Sequence, residues 1–253
     1  MIDPWILLGL FVFLSYTIEA MTGFGSIVIA VSLGALVLPI PELLPVLVPL
    51  NILMSGYLSY KNRAAIHTPT LLGLILPAMV LGTIAGHVLK PYLGNHVLKM
   101  LFGALVLWFA GRELGRLRGA NPAAATQRGP IATRGIMTAA GVTHGLFASG
   151  GPLLVVALAG NPLNKESLRA TLIAVWFTLN SLLTVAYLLN GTLVPALSRT
   201  VFYLPVIAVG VVIGERLHAK IDELQFRRAL FTVLAVVGAL LIGPALRELL
   251  PLS

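Results

Sequence analysis

The chain contains no cysteine and little charge. The absence of cysteine excludes a disulfide framework, a thiolate nucleophile and a zinc–thiolate site. Of the 253 residues, 10% are charged and 58% are hydrophobic, and the mean hydropathy is +0.96. A soluble domain cannot bury that much apolar surface, whereas a lipid bilayer accepts it. The composition therefore predicts an integral membrane protein whose constant partner is the lipid bilayer.

The signatures of enzymes and of nucleic-acid-binding proteins are also missing. There is no His-Glu-x-x-His, no Walker loop and no Gly-x-Ser-x-Gly, so no enzymatic activity, metal or cofactor is predicted. Ser149 follows His144 by five residues, which is poor geometry for proton transfer along one helix. The net charge of +8 is not gathered into a basic cluster interleaved with aromatic residues, which argues against nucleic-acid binding. The first residues lack the basic region of a signal peptide, so the first apolar run is expected to persist in the mature protein.

Eight apolar runs predict an all-α, polytopic helical bundle. They cover residues 5–38, 43–60, 70–89, 97–109, 131–159, 168–189, 193–217 and 229–246. The first and the fifth are interrupted by polar and glycine-rich segments, at residues 19–26 and 144–152. Paired interruptions at matching places are typical of the substrate sites of secondary transporters.

The two halves of the chain align with each other at an offset of 125–129 residues. Residues 76–86 match residues 204–214 in the pattern Leu-Pro-x4-Gly-x3-Gly, without a gap. Repeated helical units are a common way to build a transporter. The alignment predicts a single transporter domain with repeat one at 1–114, a basic cytoplasmic linker at 115–130 and repeat two at 131–253.

The distribution of lysine and arginine predicts that the two repeats are inverted. If each interrupted run crossed the membrane once, the 17 basic residues would divide 9 to 8. If each run returns to its own side, 13 lie in the cytoplasm and 4 outside, as the positive-inside rule requires. Residues 5–18 and 27–38 would make helices of about 21 and 18 Å, too short for a hydrocarbon core of about 30 Å. Each repeat is therefore predicted to hold a re-entrant hairpin of two half-helices and three spanning helices, with both termini periplasmic.

The tips of the two hairpins form the predicted anion site. A new helix is expected to begin at Ser26 and at Pro152, leaving backbone N–H groups and a positive dipole end free for an anion. The alternative is that the tip glycines only permit close helix packing, and that the two asparagines only form interhelical hydrogen bonds. The predicted substrate-binding residues are Thr22, Gly23, Phe24, Gly25, Ser26, Asn51, Ser149, Gly150, Gly151, Pro152 and Asn180.

Four ionisable residues have two interpretations each. Glu19 lies inside an apolar run and is either the carrier of a coupling proton or a protonated structural carboxyl. His144 occupies the matching place in repeat two and is either a titrating group or a buried neutral side chain. Lys61 and Arg169 either gather anions at the cytoplasmic ends of their helices or anchor the topology.

These motifs resemble those of the TauE/SafE-type sulfite exporter family, the small-anion transporters that are similar to 4-toluene sulfonate uptake permeases. The resemblance rests on Ala-Met-Thr-Gly-Phe-Gly-Ser at 20–26, Gly-Leu-Phe-Ala-Ser-Gly-Gly-Pro-Leu-Leu-Val at 145–155 and Asn-Lys-Glu-Ser-Leu-Arg-Ala-Thr at 164–171, followed by Asn180. It extends from Glu19 to about residue 240. In places the family has Gly-Gly-Gly where this chain has Gly-Phe-Gly or Ser-Gly-Gly, so the resemblance does not identify the substrate.

The resemblance implies a secondary active transporter, by expectation an exporter, of a small sulfur-containing anion such as sulfite, thiosulfate or an organosulfonate. Such a protein is expected to be multi-pass in the bacterial inner membrane and to work by alternating access, with a proton as the first candidate for the coupling ion. The alternatives are a carrier of another small anion such as a carboxylate, an anion channel, and a membrane scaffold without transport. A homodimer is compatible with every one of these.

Overall fold

The computed structural model describes residues 3–22, 25–119, 129–158, 163–218 and 223–249, and every regular element within these ranges is helical. The α-helices, in chain order, are α1 (Pro4–Thr22), α2 (Ser26–Gly34), α3 (Ile40–Lys61), α4 (Thr68–Thr70), α5 (Leu76–Leu89), α6 (Asn95–Leu117), α7 (Pro130–Phe147), α8 (Gly151–Ala157), α9 (Lys165–Leu189), α10 (Leu193–His218) and α11 (Glu223–Leu249). A π-helical segment, Leu71–Ile75, joins α4 to α5, and short 3-10 turns follow α3 and α5.

Five helical segments of the described chain are long and apolar enough to cross a membrane. They are Ile40–Lys61, Thr68–Tyr92, Glu166–Leu189, Leu193–Gly214 and Leu224–Pro244. The one uninterrupted apolar run that is not among these five, residues 97–109, lies in α6. The last turns of α6 carry Arg112, Glu113 and Arg116. The all-α, polytopic membrane fold that the composition predicts is confirmed.

Both predicted interruptions are breaks between two helices that pack on each other. Helix α2 runs back along α1, because Gly34 at its end lies against Leu8 near the start of α1. Helix α8 packs back on α7 in the same way. The prediction that α2 begins at Ser26 is confirmed, and α8 begins at Gly151, one residue before the predicted start.

The first arm of each hairpin is longer than the sequence suggests. Helix α1 has 19 residues and α7 has 18, or about 28 and 27 Å, whereas α2 has 9 residues and α8 has 7. The predicted half-helix at residues 5–18 is therefore wrong, because Glu19, Ala20 and Met21 are good helix formers and continue α1 to Thr22. Each hairpin has one long and one short arm.

Residues at both ends of the predicted linker, 115–117 and 130, belong to helices. Helix α6 continues to Leu117 and α7 begins at Pro130, so both ends of the predicted linker are helical or adjoin a helix. Residues 120–128 lie outside the described residues. Arg228 in α11 donates a hydrogen bond to the Leu117 carbonyl oxygen at 3.1 Å, which holds the end of α6.

The chain divides into two compact units, and each contains elements from both repeats. Unit 1 consists of Met1–Leu43, Leu93–Ala124 and Phe202–Ser253, and it holds the α1–α2 hairpin. Unit 2 consists of Leu44–Tyr92 and Ala125–Val201, and it holds the α7–α8 hairpin. In both units the hairpin of one predicted repeat packs with the second spanning helix of the other: α7 with α5 in unit 2, and α1 with α10 in unit 1.

The glycines of the repeated motif make these contacts in unit 2. A Cβ atom at Gly82 would overlap the Thr138 carbonyl oxygen, and one at Gly86 would overlap the Val142 carbonyl oxygen. The fit is reciprocal, because a Cβ atom at Gly145 would overlap the Thr83 carbonyl oxygen. Helices α5 and α7 thus touch backbone to backbone, an approach that only glycine permits.

The matching glycines make the equivalent contacts in unit 1. A Cβ atom at Gly210 would lie 3.1 Å from the Phe13 carbonyl oxygen, and one at Gly214 would overlap the Thr17 carbonyl oxygen. Residues 13 and 17 precede residues 138 and 142 by 125 positions, the offset at which the two hairpin tips align. The duplicated motif therefore makes the same contact twice, once within each unit.

Candidate functional site

The tip of the second hairpin is a tight turn in unit 2. Helix α7 ends at Phe147, and Ala148 follows in the left-handed conformation, with φ 53° and ψ 27°. This conformation costs a non-glycine residue roughly 1–2 kcal/mol. Gly150 then lies so close to α7 that a Cβ atom would overlap the Ala140 carbonyl oxygen. Pro152, in the first turn of α8, is buried and directs the chain back along α7.

The His144 side chain lies beside this tip and is 1% exposed. Its ring stacks on the Trp176 indole of α9, with the ring centroids 5.7 Å apart and the planes 16° apart. Neither ring nitrogen has a hydrogen-bond partner. The Asn180 side chain lies near the imidazole, but the atoms of the two side chains do not meet the distance and angle of a hydrogen bond. A buried imidazole with both nitrogens unused is costly, so an ordered water or a ligand is expected to supply the partner.

Asn180 links α9 to α3. Its Nδ2 atom donates a hydrogen bond to Oδ1 of Asn51 at 2.8 Å, and both side chains are buried. The interhelical hydrogen bond that the sequence left as one alternative is therefore present. The Asn180 Oδ1 atom has no hydrogen-bond partner. The internal alignment also matches these two asparagines with each other, so two residues predicted to be counterparts are in contact.

Ser149 is buried at the tip but is not free to donate. Its hydroxyl donates a hydrogen bond to the Phe147 carbonyl oxygen at 3.0 Å. It would have to release this bond before it could donate to an anion, which weakens the prediction that it is a principal anion ligand. Gly151 lies against Trp176, since a Cβ atom there would come within 3.4 Å of the indole.

We call this group of residues the tip cluster: His144, Gly150, Gly151, Trp176, Asn180 and Asn51. All but Trp176 are residues that the sequence analysis singles out. Trp176 lies in an apolar run, where a tryptophan is expected to face lipid or the core. The sequence did contain one indication that Trp176 belongs to the site. Trp176 precedes Asn180 by four residues, so the two share one face of the helix.

Further buried polar atoms of unit 2 have no hydrogen-bond partner. Besides those of the tip cluster, they are Ser59 Oγ, Thr83 Oγ1, His87 Nδ1 and Thr184 Oγ1. Unsatisfied groups of this kind cost about 1–3 kcal/mol each, so an ordered water or a polar ligand is expected beside them. Within the described part of the chain, no group of three or more histidines or acidic residues could hold a metal ion.

The first tip lies in unit 1 and is described in part. Gly25 has φ 101°, a conformation suited to glycine, and Ser26 begins α2 and is buried. Glu19 lies in the last turns of α1 and is 8% exposed. Gly23, Phe24 and the Thr22 side chain lie outside the described residues.

Lys61 and Arg169 are not part of the tip cluster. Lys61 ends α3 and is exposed, with its ammonium group 5.8 Å from the centroid of the Tyr57 ring. Arg169 lies in the first turns of α9 and is also exposed. A role in gathering anions stays a prediction for both.

The comparison with known proteins decides the family. From residue 8 to residue 241, the sequence matches the model of a family described as "Sulfite exporter TauE/SafE". The chain belongs to this family. The resemblance that the tip motifs and Asn180 carry is thereby confirmed. Like its TauE/SafE relatives, the chain is a multi-pass membrane protein.

One relative is a named exporter. The probable sulfite/organosulfonate exporter TauE of Cupriavidus necator is 27% identical to this chain over 173 residues. The match covers 68% of this chain and 66% of the relative, slightly less than two thirds of its length. No solved structure matches the TauE/SafE chain described here.

Proposed function

We propose that this TauE/SafE-family protein is a secondary active transporter that exports a small sulfur-containing anion, such as sulfite, thiosulfate or an organosulfonate, across the bacterial inner membrane by alternating access. One observation carries the proposal. A buried histidine with both ring nitrogens unused lies at a glycine-rich helix break, beside an amide that is only half used. Family membership and the named relative support the choice of anion.

The tip cluster suits a sulfur oxyanion for three physical reasons. The His144 ring supplies an N–H donor to an anion oxygen at one of its two unused nitrogens. Opening the hydrogen bond between Asn180 and Asn51 would supply amide donors from the same side. A Cβ atom at Gly151 would meet only the Trp176 indole, at 3.4 Å, so this glycine leaves room for an anion oxygen at the tip backbone, whereas Gly150 is packed against α7. Hydrogen bonds to a charged ligand contribute about 1.5–3 kcal/mol each, which is enough for micromolar to millimolar binding by a few groups.

The driving force would come from an ion or substrate gradient, since the sequence has no Walker loop. Glu19 is the first candidate for carrying a coupled proton, because it is a buried carboxyl inside an apolar helix.

Counterflow in proteoliposomes tests the proposed function. Vesicles loaded with unlabelled sulfite are expected to accumulate labelled sulfite transiently above its equilibrium level, because a carrier exchanges one anion for another. Protein-free vesicles are the control. Equilibration without overshoot, at rates far above those of carriers, would instead indicate an anion channel. Counterflow with a carboxylate and none with sulfite, thiosulfate or an organosulfonate would refute the proposed substrate class, and no flux at all would favour a scaffold.

The Glu19→Gln substitution tests proton coupling. The variant is expected to bind sulfite like the parent but to lose transport driven by a pH gradient, because glutamine cannot release a proton. Sulfite counterflow, which needs no net proton movement, should persist. Glu42→Gln is the matched control, since Glu42 is an exposed acid at the start of α3. Undiminished pH-driven flux in Glu19→Gln would leave Glu19 with a structural role.

Reporter fusions test the orientation that the 13 to 4 division of basic residues predicts. Alkaline phosphatase fused after residue 253 is expected to be active, because it folds only outside the cytoplasm. The same reporter inserted within residues 123–127 should be inactive, whereas green fluorescent protein there should fluoresce. A fluorescent fusion at residue 253 would favour parallel repeats.

A further inference from the structure

A second polar group lies in unit 2, at the end of α5. Lys90 follows the last residue of α5 and is 9% exposed. Its Nζ atom donates a hydrogen bond to the Tyr187 hydroxyl at 3.2 Å and lies 4.6 Å from the centroid of the Tyr187 ring. The His87 ring, one turn earlier in α5, lies 5.5 Å from the Tyr187 ring, between centroids. The buried Lys90 and Tyr187 side chains thus meet beside a half-buried histidine.

The burial of Lys90 needs an explanation beyond its position. A lysine at a helix C-terminus interacts favourably with the helix dipole, but this effect does not require burial. Near the end of a membrane helix, a lysine usually extends its ammonium group to the membrane surface. Lys90 instead turns inward against a neutral phenol.

The partners of Lys90 do not balance its charge. Within the described residues, no carboxylate pairs with Lys90, and its contacts are a hydroxyl and an aromatic face. A buried charge without a counter-ion is strongly unfavourable, whereas the same charge with an anion and additional donors is tolerated. The Tyr187 hydroxyl can donate to an anion while it accepts from Lys90. Both groups are therefore suited to a small oxyanion.

We propose that Lys90, Tyr187 and His87 form a second anion-binding site, separate from the tip cluster, for a small oxyanion such as sulfite or an organosulfonate. The identity of the anion rests on the proposed function. The anion would accept hydrogen bonds from the Lys90 ammonium group and from the Tyr187 hydroxyl.

Two helix faces connect this site to the tip cluster. On α9, Asn180, Thr184 and Tyr187 follow each other at spacings of four and three residues, which places them on one face. Thr83 and His87 on α5, and Lys90 directly after it, have the same spacing. The Thr184 and Thr83 hydroxyls are both buried without a hydrogen-bond partner. From Asn180 to Tyr187 the rise along α9 is about 10 Å, which is the separation of the two sites along this helix.

Sulfite titration by calorimetry of the purified full chain tests the proposal. The parent is expected to bind sulfite at two sites, and Lys90→Gln is expected to weaken one of them at least tenfold, because a charged donor is lost. Lys99→Gln is the matched control, since it removes the same charge by the same substitution in α6 and should leave both sites intact. His144→Phe should weaken the other site and spare the one at Lys90.

Each outcome decides between the two sites. Two unchanged sites in Lys90→Gln, or a single site that Lys90→Gln does not affect, would overturn the second site and leave the tip cluster standing. A single site lost in Lys90→Gln but unaffected by His144→Phe would overturn the tip cluster and support the second site. Absence of binding of sulfite and of organosulfonates by the parent would overturn both.

A second pair of variants keeps the test decisive if Lys90→Gln does not yield monodisperse protein. Tyr187→Phe removes one hydroxyl and little volume, and it is expected to weaken the second site about tenfold. Lys90→Arg keeps the charge and should retain it. Parent-like binding at both sites in Tyr187→Phe, together with loss of a site in Lys90→Arg, would contradict the assigned roles and overturn the proposal.

Discussion

Replacing Gly145 by alanine is expected to destabilise the protein by about 3 kcal/mol or more, which for a chain of this size lowers Tm by roughly 6–12 °C. The added Cβ atom would overlap the Thr83 carbonyl oxygen and come within 2.6 Å of the His87 nitrogen and 2.9 Å of the Gly86 Cα atom. All three are backbone atoms of α5, so no side-chain rotation can relieve the overlap. Helix α7 would have to move away from α5, and the contacts along the interface would weaken.

The control for this substitution lies on the same helix. Gly135→Ala adds the same methyl group to α7 at a position where a Cβ atom meets nothing within 4 Å. It is expected to leave Tm unchanged or to raise it slightly, because alanine is the better helix former by about 1 kcal/mol. The measurement is thermal unfolding of the detergent-solubilised protein. Equal Tm values for the two variants would show that α5 and α7 do not touch backbone to backbone.

Replacing His144 by phenylalanine is expected to weaken anion binding at the tip cluster at least tenfold while preserving the stability of the protein. Phenylalanine keeps a flat ring that can stack on Trp176, and it removes two nitrogens that make no hydrogen bond within the protein. Removal of unsatisfied buried polar atoms is neutral or stabilising. Loss of a hydrogen bond to a charged ligand should cost about 1.5–3 kcal/mol, which raises Kd at the tip cluster by a factor of roughly 10 to 150.

Both quantities are measured on one preparation, affinity by sulfite calorimetry and stability by thermal unfolding. His96→Phe is the control, because His96 is an exposed residue at the start of α6. A variant that binds sulfite like the parent would remove His144 from the site. A large drop in Tm with unchanged affinity would show instead that the imidazole serves the fold.

The class of the fold and the positions of the helix breaks could be predicted because they depend on local sequence. A run of about 20 apolar residues has few alternatives to a membrane helix, and a glycine such as Gly25 readily adopts the backbone conformation needed at a break between helices. The lengths of the hairpin arms could not be predicted from hydropathy, since polar Glu19 looks like the end of an apolar run but is compatible with a helix.

The packing of the two repeats required the structure. The alignment of residues 76–86 with 204–214 predicts that both motifs do the same thing, but it does not say what they contact. The contacts join one half of the chain to the other. Helix α5 of the first half packs against the hairpin of the second half, and α10 of the second half packs against the hairpin of the first.

The polar residues of the candidate site could be identified from the sequence, but their arrangement in space could not. His144, Asn51 and Asn180 are conspicuous because polar residues in apolar runs are costly. Trp176 is not conspicuous, because its chemistry suits a core equally well. The hydrogen bond that occupies the Ser149 hydroxyl depends on the turn at Ala148, whose left-handed conformation a sequence pattern does not reveal.

The exchange of helices between the repeats also sets the order of events during synthesis. Thr138 is synthesised 56 residues after its partner Gly82, whereas Gly214 is synthesised 197 residues after its partner Thr17. At about 5–20 residues per second, these intervals are roughly 3–11 s and 10–40 s. Unit 2 therefore has its partners together while the last helices are still on the ribosome. During that time α1 lies in the membrane without α10. An insertase that covers the face of α1 on which α10 later packs would therefore be needed for longer than one that covers the helices of unit 2.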